Sequence, residues 1–432
     1  MQIKINGQTI SLAAPEPFLS ILRREKIYFP LYCGGRGTCG KCRIRITEGS
    51  LPITTEDRQF FSEDELKAGY RLGCRAVITA SCAITFEEIQ REDAFYVPPV
   101  QHAESLVREP IQRQNTAEAY GVKSDKDSRM PDKVSLSIAV DIGSTTLVMA
   151  LVHTDSGKIV TEYRGLNHQR SYGTDVMARI KAAVEDGQEQ AMQALIRQDL
   201  AEGIVSLLKS SDAPIEQIVI AGNTTMLHLL RGYDCRGLSA WPFQPVNLDF
   251  EELSTAELLG ESLLVENCLL KETKVTLIAG ISAFVGADIT AGLWGCGIAG
   301  NEKPRLFLDL GTNAEMAVGN KEGMLVSSAA AGPAFEGGQL SCGTGSIPGA
   351  VRDVRIQYGL VRYETIGRKP PVGICGSGLV SAISEMRKSR MMDNTGRLSP
   401  RYASRGLEII PGKIVITQAD IREYQKARAA IR

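Results

Sequence analysis

Ten cysteines are spread through this 432-residue sequence, and four of them carry a pattern. Cys33, Cys39 and Cys42 are separated by five and then two residues, and Cys74 follows after thirty-one more. Gly34, Gly35, Gly37 and Gly40 leave that loop with few side chains and many exposed backbone N–H groups. Two irons need four thiolates, with amide donors aimed at the sulfurs to offset their charge. The spacing is one residue longer than the plant-type C-x4-C-x2-C…C. A structural zinc site and a disulfide pair are the alternatives. Zinc ligands usually come as two C-x2-C knuckles, whereas Cys74 has no partner at that spacing and Cys82 is too distant to supply one. The residues favour a [2Fe–2S] cluster on Cys33, Cys39, Cys42 and Cys74, with Cys82 dispensable.

A second chemistry is written twice. Ser137-Ile-Ala-Val-Asp141-Ile-Gly143-Ser-Thr-Thr146 and Leu306-Phe-Leu-Asp309-Leu-Gly311-Thr-Asn313 each carry an apolar strand into a turn of glycine and polar residues, then into a returning strand. Gly143, Ser144, Thr145 and Thr146 at one tip, and Gly311, Thr312 and Asn313 at the other, would offer N–H groups and hydroxyls to phosphate. Asp141 and Asp309 could hold Mg²⁺ directly or through water. One such tip is usually an ordinary hairpin; two make a clamp for the phosphates and metal of ATP the better reading. Gly222-Asn223-Thr224 and Gly376-Ser377-Gly378 each stand before an apolar helix. Either could seat an anion or simply cap the helix. Glu315 and Glu336 are candidates for orienting an attacking water, with surface or capping roles as the alternative.

Residues 1–90 form the frame for the cysteines. Gln2–Ile5 and Thr9–Leu12 alternate around an Asn6-Gly7 turn. A helix is expected over Phe18–Glu25, a strand over Lys41–Glu48, a helix over Ser62–Gly69 and a last strand over Val77–Phe86. Residues 91–133, broken by Pro98, Pro99, Pro110 and Pro131 and poor in apolar side chains, read as a mobile linker. Residues 134–300 hold the first tip and a middle region, with helices over Asp175–Leu208, and residues 301–432 hold the second tip. A net charge of −1 argues against a nucleic-acid binder, and no run of eighteen apolar residues exists to span a membrane. The start lacks the plan of a signal peptide, so the cysteines read as cytoplasmic thiols and metal ligands. Cys235, Cys268, Cys296, Cys342 and Cys375 are expected as small buried hydrophobes. His102, His153, His168 and His228 lack metal-ligand spacing.

The N-terminal segment resembles β-grasp ferredoxins, α+β in class, and its longer cysteine loop resembles the hydroxylase type. The duplicated tips resemble the α/β sugar kinase, heat-shock protein and actin superfamily (ASKHA), whose two lobes share a ribonuclease H-like plan. Asn167-His-Gln169, Ala221-Gly-Asn-Thr-Thr-Met226, Trp241-Pro-Phe-Gln-Pro245, Ala283-Phe-Val-Gly-Ala-Asp288, Ala329–Gly338 and Gly373–Gly378 extend the likeness. With a ferredoxin domain in front, the whole is similar to the reductive activators of corrinoid-dependent methyltransferases. That resemblance implies ATP-dependent one-electron transfer from the cluster to Co(II) of a corrinoid protein, an upstream electron donor, and a homodimer. An activator of radical dehydratases is one rival, disfavoured by the ferredoxin domain. A plain electron carrier with a vestigial ATPase half is the other. In the family the adenosine pocket is completed beyond the position of Arg432, so weak ATP binding is expected of this chain.

Overall fold

The computed structural model describes residues 1–25, 27, 29, 35, 37, 40, 42–86, 135–173, 175–211, 213–260 and 270–432. Cys33, Cys39, His102, Cys268 and the expected linker 91–133 lie outside the described residues.

Alternation in the first strands builds the N-terminal sheet, which runs in the order Gln8–Ser11, Gln2–Ile5, Cys82–Thr85, Arg43–Glu48, Tyr70–Leu72. Asn6 and Gly7, both at positive φ, close the first hairpin. Ile3, Ile5, Ile44 and Ile84 fall on one buried face. Phe18, Ile21 and Leu22 of the helix Phe18–Arg24 pack with them. Ser62 and Glu65 form a capping box that starts the helix Glu63–Lys67. The expected strand Val77–Phe86 is divided. Val77–Ile78 pairs with Glu16–Pro17, whereas Cys82–Thr85 runs parallel to Gln2–Ile5 in the main sheet. The helix Asp57–Phe60 and the strand Tyr70–Leu72 were not foreseen, being too short to show a period.

The next sheet has six strands, ordered Ile159–Leu166, Thr146–His153, Leu136–Ile142, Ile215–Gly222, Lys274–Leu277, Glu251–Ser254. Its first three form an antiparallel meander, and Ile215–Gly222 lies parallel between Leu136–Ile142 and Lys274–Leu277. This is the ribonuclease H-like plan. Ile138, Val140 and Met149 meet Met192, Ile196 and Leu200 of the helix Glu189–Leu208 in the core.

The second lobe repeats the meander with Arg305–Leu310, Ala314–Asn320 and Gly323–Ala329. It differs at one edge. Leu136–Ile142 is flanked on both sides, whereas among the described residues Arg305–Leu310 pairs on one side and ends its sheet. Leu306, Leu308 and Leu310 are accordingly 65%, 44% and 44% exposed. A three-stranded sheet (Leu360–Thr365, Ala350–Gln357, Gly373–Ile374) and the hairpin Leu407–Ile410/Ile414–Ile416 pack with the helices Gly376–Lys388 and Gln418–Ile431. Gly376–Gly378, expected just ahead of a helix, form its first turn. No helix among the described residues is long and apolar enough to cross a membrane.

Candidate functional site

Cys42 leads into the strand Arg43–Glu48, and Cys74 follows Tyr70–Leu72 in the turn alongside. Arg43 and Leu72 are paired in register, and the Gly73 N–H donates to the Cys42 carbonyl at 2.7 Å. The two sulfurs therefore come to 3.2 Å, far beyond a disulfide bond of about 2.05 Å, so no disulfide joins them. Gly35, Gly37 and Gly40 take positive φ, a backbone that side-chain-bearing residues avoid. A Cβ at Gly40 would fall 2.6 Å from the Phe60 ring, and one at Gly37 would fall 2.5 Å from Arg75 Nε. Gly40 thus lies against Phe60 and Gly37 against Arg75, and Glu56 holds Arg75 at 3.1 Å. Adjacent thiols at a strand end beside a glycine loop suit a thiolate-bound cluster; the other two expected ligands, Cys33 and Cys39, lie outside the described residues. Cys82 is buried in its strand, and burial pushes its thiol up. Cys235 and Cys375 are buried as expected, but Cys296 is exposed because it ends a surface helix, and Cys342 is half-buried.

The first tip is braced from behind. Gly143 N–H donates to Thr146 O at 3.0 Å across the turn. The Asn167 amide donates to Gly143 O at 2.9 Å, and the Asn167 N–H donates to Thr145 O at 3.1 Å. Arg179, fully buried, donates to Gly173 O at 2.9 Å and to the Ser144 carbonyl. Asn167 was visible as part of a motif, without a role. Arg179 gave no sign, since an arginine on a charge-rich helix reads as solvated.

Gly222 abuts Ile142, bringing the next junction beside this tip. There Asn223 caps the helix Thr224–Arg231 by accepting from Met226 N–H at 3.0 Å. The Thr224 hydroxyl donates to Ser282 O at 2.7 Å, so the group expected to meet phosphate is committed to a carbonyl. At the second tip Gly311 N–H donates to Asn313 O at 2.8 Å, and the Thr312 hydroxyl donates to the Glu336 carboxylate. Behind it, a Cβ at Gly376 would fall 1.7 Å from Phe335 O, and one at Gly378 would fall 2.1 Å from Val351 O. Glycine at both positions lets that helix start against the Pro333–Glu336 turn. Ser377 is exposed, its hydroxyl 3.2 Å from Cys375 Sγ. A hollow of about 910 Å³, lined by Leu310, Phe335, Gly376, Ser377 and Val380, borders this tip.

The two tips bring carboxylates together. Burial pushes Asp141 up to about 6, and repulsion from Asp288 and Asp309 adds to it. Glu315 rises to about 7, again through burial first, then Asp288 and Asp309, against a 3.2 Å hydrogen bond from Ser328. Asp288 and Asp309 are raised as well, mainly by burial. By surface area Asp141 and Asp309 are exposed and Asp288 and Glu315 half-buried, so the many protein atoms around Asp141 and Asp309 do not shut out water, and the cleft between the two tips is open to solvent. Asp288, the second residue of the helix Ala287–Gly295, was quoted in a motif but not assigned. Among the described residues no lysine or arginine pairs with any of the four. The four feel one another's charge, yet among the described residues no three Asp, Glu, His or Cys side chains are drawn close enough to hold a metal ion; a divalent cation between the tips would have to draw them in.

Residues 3–79 match the 2Fe-2S iron-sulfur cluster binding domain, 136–301 the RACo middle region, and 303–432 the C-terminal domain of RACo, the ASKHA domain. The chain carries a RACo middle region and a RACo C-terminal domain behind a 2Fe-2S domain. One relative is the corrinoid activation enzyme RamQ of Eubacterium limosum, 29% identical over 93% of this chain and 76% of RamQ. A second is the [Co(II) methylated amine-specific corrinoid protein] reductase of Methanosarcina barkeri, 26% identical over 68% of this chain and 58% of the reductase. The solved reductive activator for corrinoid,iron-sulfur protein superposes with a TM-score of 0.59 at 25% identity, over all of this chain and 82% of the other. The RACo fold here is a β-grasp ferredoxin domain followed by an ASKHA pair of lobes.

Proposed function

We propose that this chain is an ATP-dependent reductive activator that returns the Co(II) corrinoid of a methyltransferase system to Co(I). The observation that carries the reading is the union, in one chain, of a thiol site under a glycine loop with two phosphate-type tips and four carboxylates. Its named relatives act in corrinoid activation and reduction. Cys33, Cys39, Cys42 and Cys74 would hold the cluster, which when bound supplies one electron at about −400 mV for the plant type. Co(II) gains that electron with no bond made and no proton moved; an upstream donor refills the cluster.

The chain's own residues do the remaining work. Phe60 and Arg75 pack against Gly40 and Gly37, beside the site the cluster would fill. Asp141, Asp288, Asp309 and Glu315 would hold Mg²⁺ once the lobes close, and its charge would offset their mutual repulsion. The tip amides beyond Gly143 and Gly311, whose N–H groups close their own turns, would take the phosphates, and Glu336, tied to Thr312, would orient an attacking water. Each 100 mV that the electron must climb costs about 2.3 kcal/mol, within reach of a nucleotide that discriminates between open and closed lobes. We assign the protein to the cytoplasm and regard a homodimer as compatible with this scheme.

A second reading is an electron carrier whose ASKHA half only docks; the strand that carries Asp309, unpaired on one edge among the described residues, favours it. One experiment separates the two. The chemically reduced chain is mixed with a Co(II) methylated amine-specific corrinoid protein, with and without Mg-ATP, and Co(I) is followed by absorbance. Co(I) should form with Mg-ATP and fail to form with Asp141→Asn. Equal reduction without nucleotide would establish the carrier instead.

A further inference from the structure

The Trp241-Pro-Phe-Gln-Pro245 motif has no part in the cleft, yet it is built with care and left bare. Trp241 is 84% exposed and meets the Phe243 ring edge-on at 6.3 Å; Phe243 in turn meets Phe284, 41% exposed, at 4.9 Å. Phe243 holds φ at 54°, a region that bulky residues avoid and that persists where surrounding structure enforces it. The two loops that make the patch, residues 237–248 and 277–287, contain no charged residue in a chain that is 23% charged. Exposed aromatics with charge depleted around them are the composition of an interface core.

The patch is wired to the cleft. Val246 N–H donates to His228 Nε2 at 3.0 Å, and His228 Nδ1–H donates to Thr224 O at 2.8 Å, on the helix that begins beside the first tip. Ser282, two residues before Phe284, receives the Thr224 hydroxyl. Gly286 lies so close to Asn223 and Thr224 that a Cβ there would fall 2.5 Å from Asn223 Cα. Two residues further on is Asp288 of the carboxylate cluster. A change in the cleft that shifts Asp288 or the Asn223–Thr224 junction must move Phe284.

We propose that Trp241, Phe243 and Phe284 form the docking surface for the corrinoid protein, and that the lobes set its grip through Ser282–Asp288. The partner presents an apolar face with a hydrogen-bond acceptor for the Trp241 indole N–H. This rests on the functional reading above: activation by ATP needs a partner contact that senses the nucleotide, and the patch has that connection. The choice of a corrinoid protein over a second copy is the part under test.

The probe is a methylated amine-specific corrinoid protein carrying Co(II), titrated against the cluster-loaded chain by sedimentation, with and without Mg-ATP. Trp241→Ala and Phe284→Ser should each weaken the complex at least tenfold and abolish its response to Mg-ATP. Iron content and electron transfer from the cluster to cytochrome c, neither of which uses the patch, should stay as in the wild type. Unchanged affinity in both variants would overturn the docking surface while leaving the function standing. So would a wild-type homodimer that Trp241→Ala splits without affecting corrinoid affinity. If the wild-type chain forms no complex at all, the functional reading fails and this proposal fails with it.

Discussion

Asp141 and Glu315 keep their protons to about 6 and about 7 in the folded chain, whereas free carboxyls lose theirs near 4. Between those limits the metal-free fold binds more protons than the unfolded chain. Their contribution to stability is full below about pH 4 and is lost as pH rises through 6 and 7. The melting temperature of the metal-free chain should therefore drop between pH 5 and pH 8. Because the cleft is open to solvent, the effect is reduced to roughly 1 kcal/mol, or about 2–4 °C. Mg²⁺ should reverse the drop at pH 8, and Asp288→Asn should shrink it. Scanning calorimetry at the two pH values decides this, and a wild-type melting point indifferent to both pH and Mg²⁺ would remove the metal site. At the same scale, iron and sulfide analysis should find the cluster lost in Cys42→Ser and Cys74→Ser and retained in Cys82→Ser. The four cysteines and the two tip aspartates could be named as candidates because their chemistry lies in local spacing. Asp288 was not, since what marks it is proximity to Asp141, Asp309 and Glu315, which only the folded chain creates. Thr224 was misleading for the same reason: its hydroxyl meets Ser282, far along the chain.

Among elements, the helix Gly376–Lys388 depends on its first turn. Gly376→Ala would drive a Cβ into the Phe335 carbonyl, and neither backbone can retreat cheaply. The expected cost is about 2–3 kcal/mol in urea unfolding, with loss of Mg-ATP binding through displacement of the Pro333–Glu336 turn. A stability change under about 0.5 kcal/mol, the usual size at an indifferent surface site, would show that the contact is slack. Asn167→Ala should cost about 1–3 kcal/mol by leaving the Gly143 carbonyl without its donor. Several long elements were legible: the strand pair at each tip follows from its apolar run and polar turn, and 175–208 was expected to be helical, whereas the strands Ala350–Gln357 and Leu360–Thr365 were not expected. The short ones were not. Tyr70–Leu72 and the division of Val77–Phe86 are set by pairing with strands distant in sequence.

Across the whole molecule the two lobes present an internal control. Leu136–Ile142 is paired on both edges and Arg305–Leu310 on one, among the described residues. Hydrogen exchange should therefore protect the amides of Leu136–Ile142 throughout, while every second amide of Arg305–Leu310 exchanges orders of magnitude faster. Uniform protection of both strands would mean that another segment covers the open edge in solution.

The bracing of the first tip also has a consequence for how heat is exchanged when nucleotide binds. Arg179 and Asn167 fix that tip before any ligand arrives, so it has little freedom left to surrender. The second tip is held by backbone, Gly332 N–H donating to Thr312 O at 2.9 Å, and by Thr312 to Glu336, on a strand paired on one side among the described residues, with no buried arginine or asparagine behind it comparable to Arg179 and Asn167. The larger share of the ordering entropy of nucleotide binding should then be drawn from the second lobe, as from the moving jaw of a vice whose other jaw is bolted to the bench.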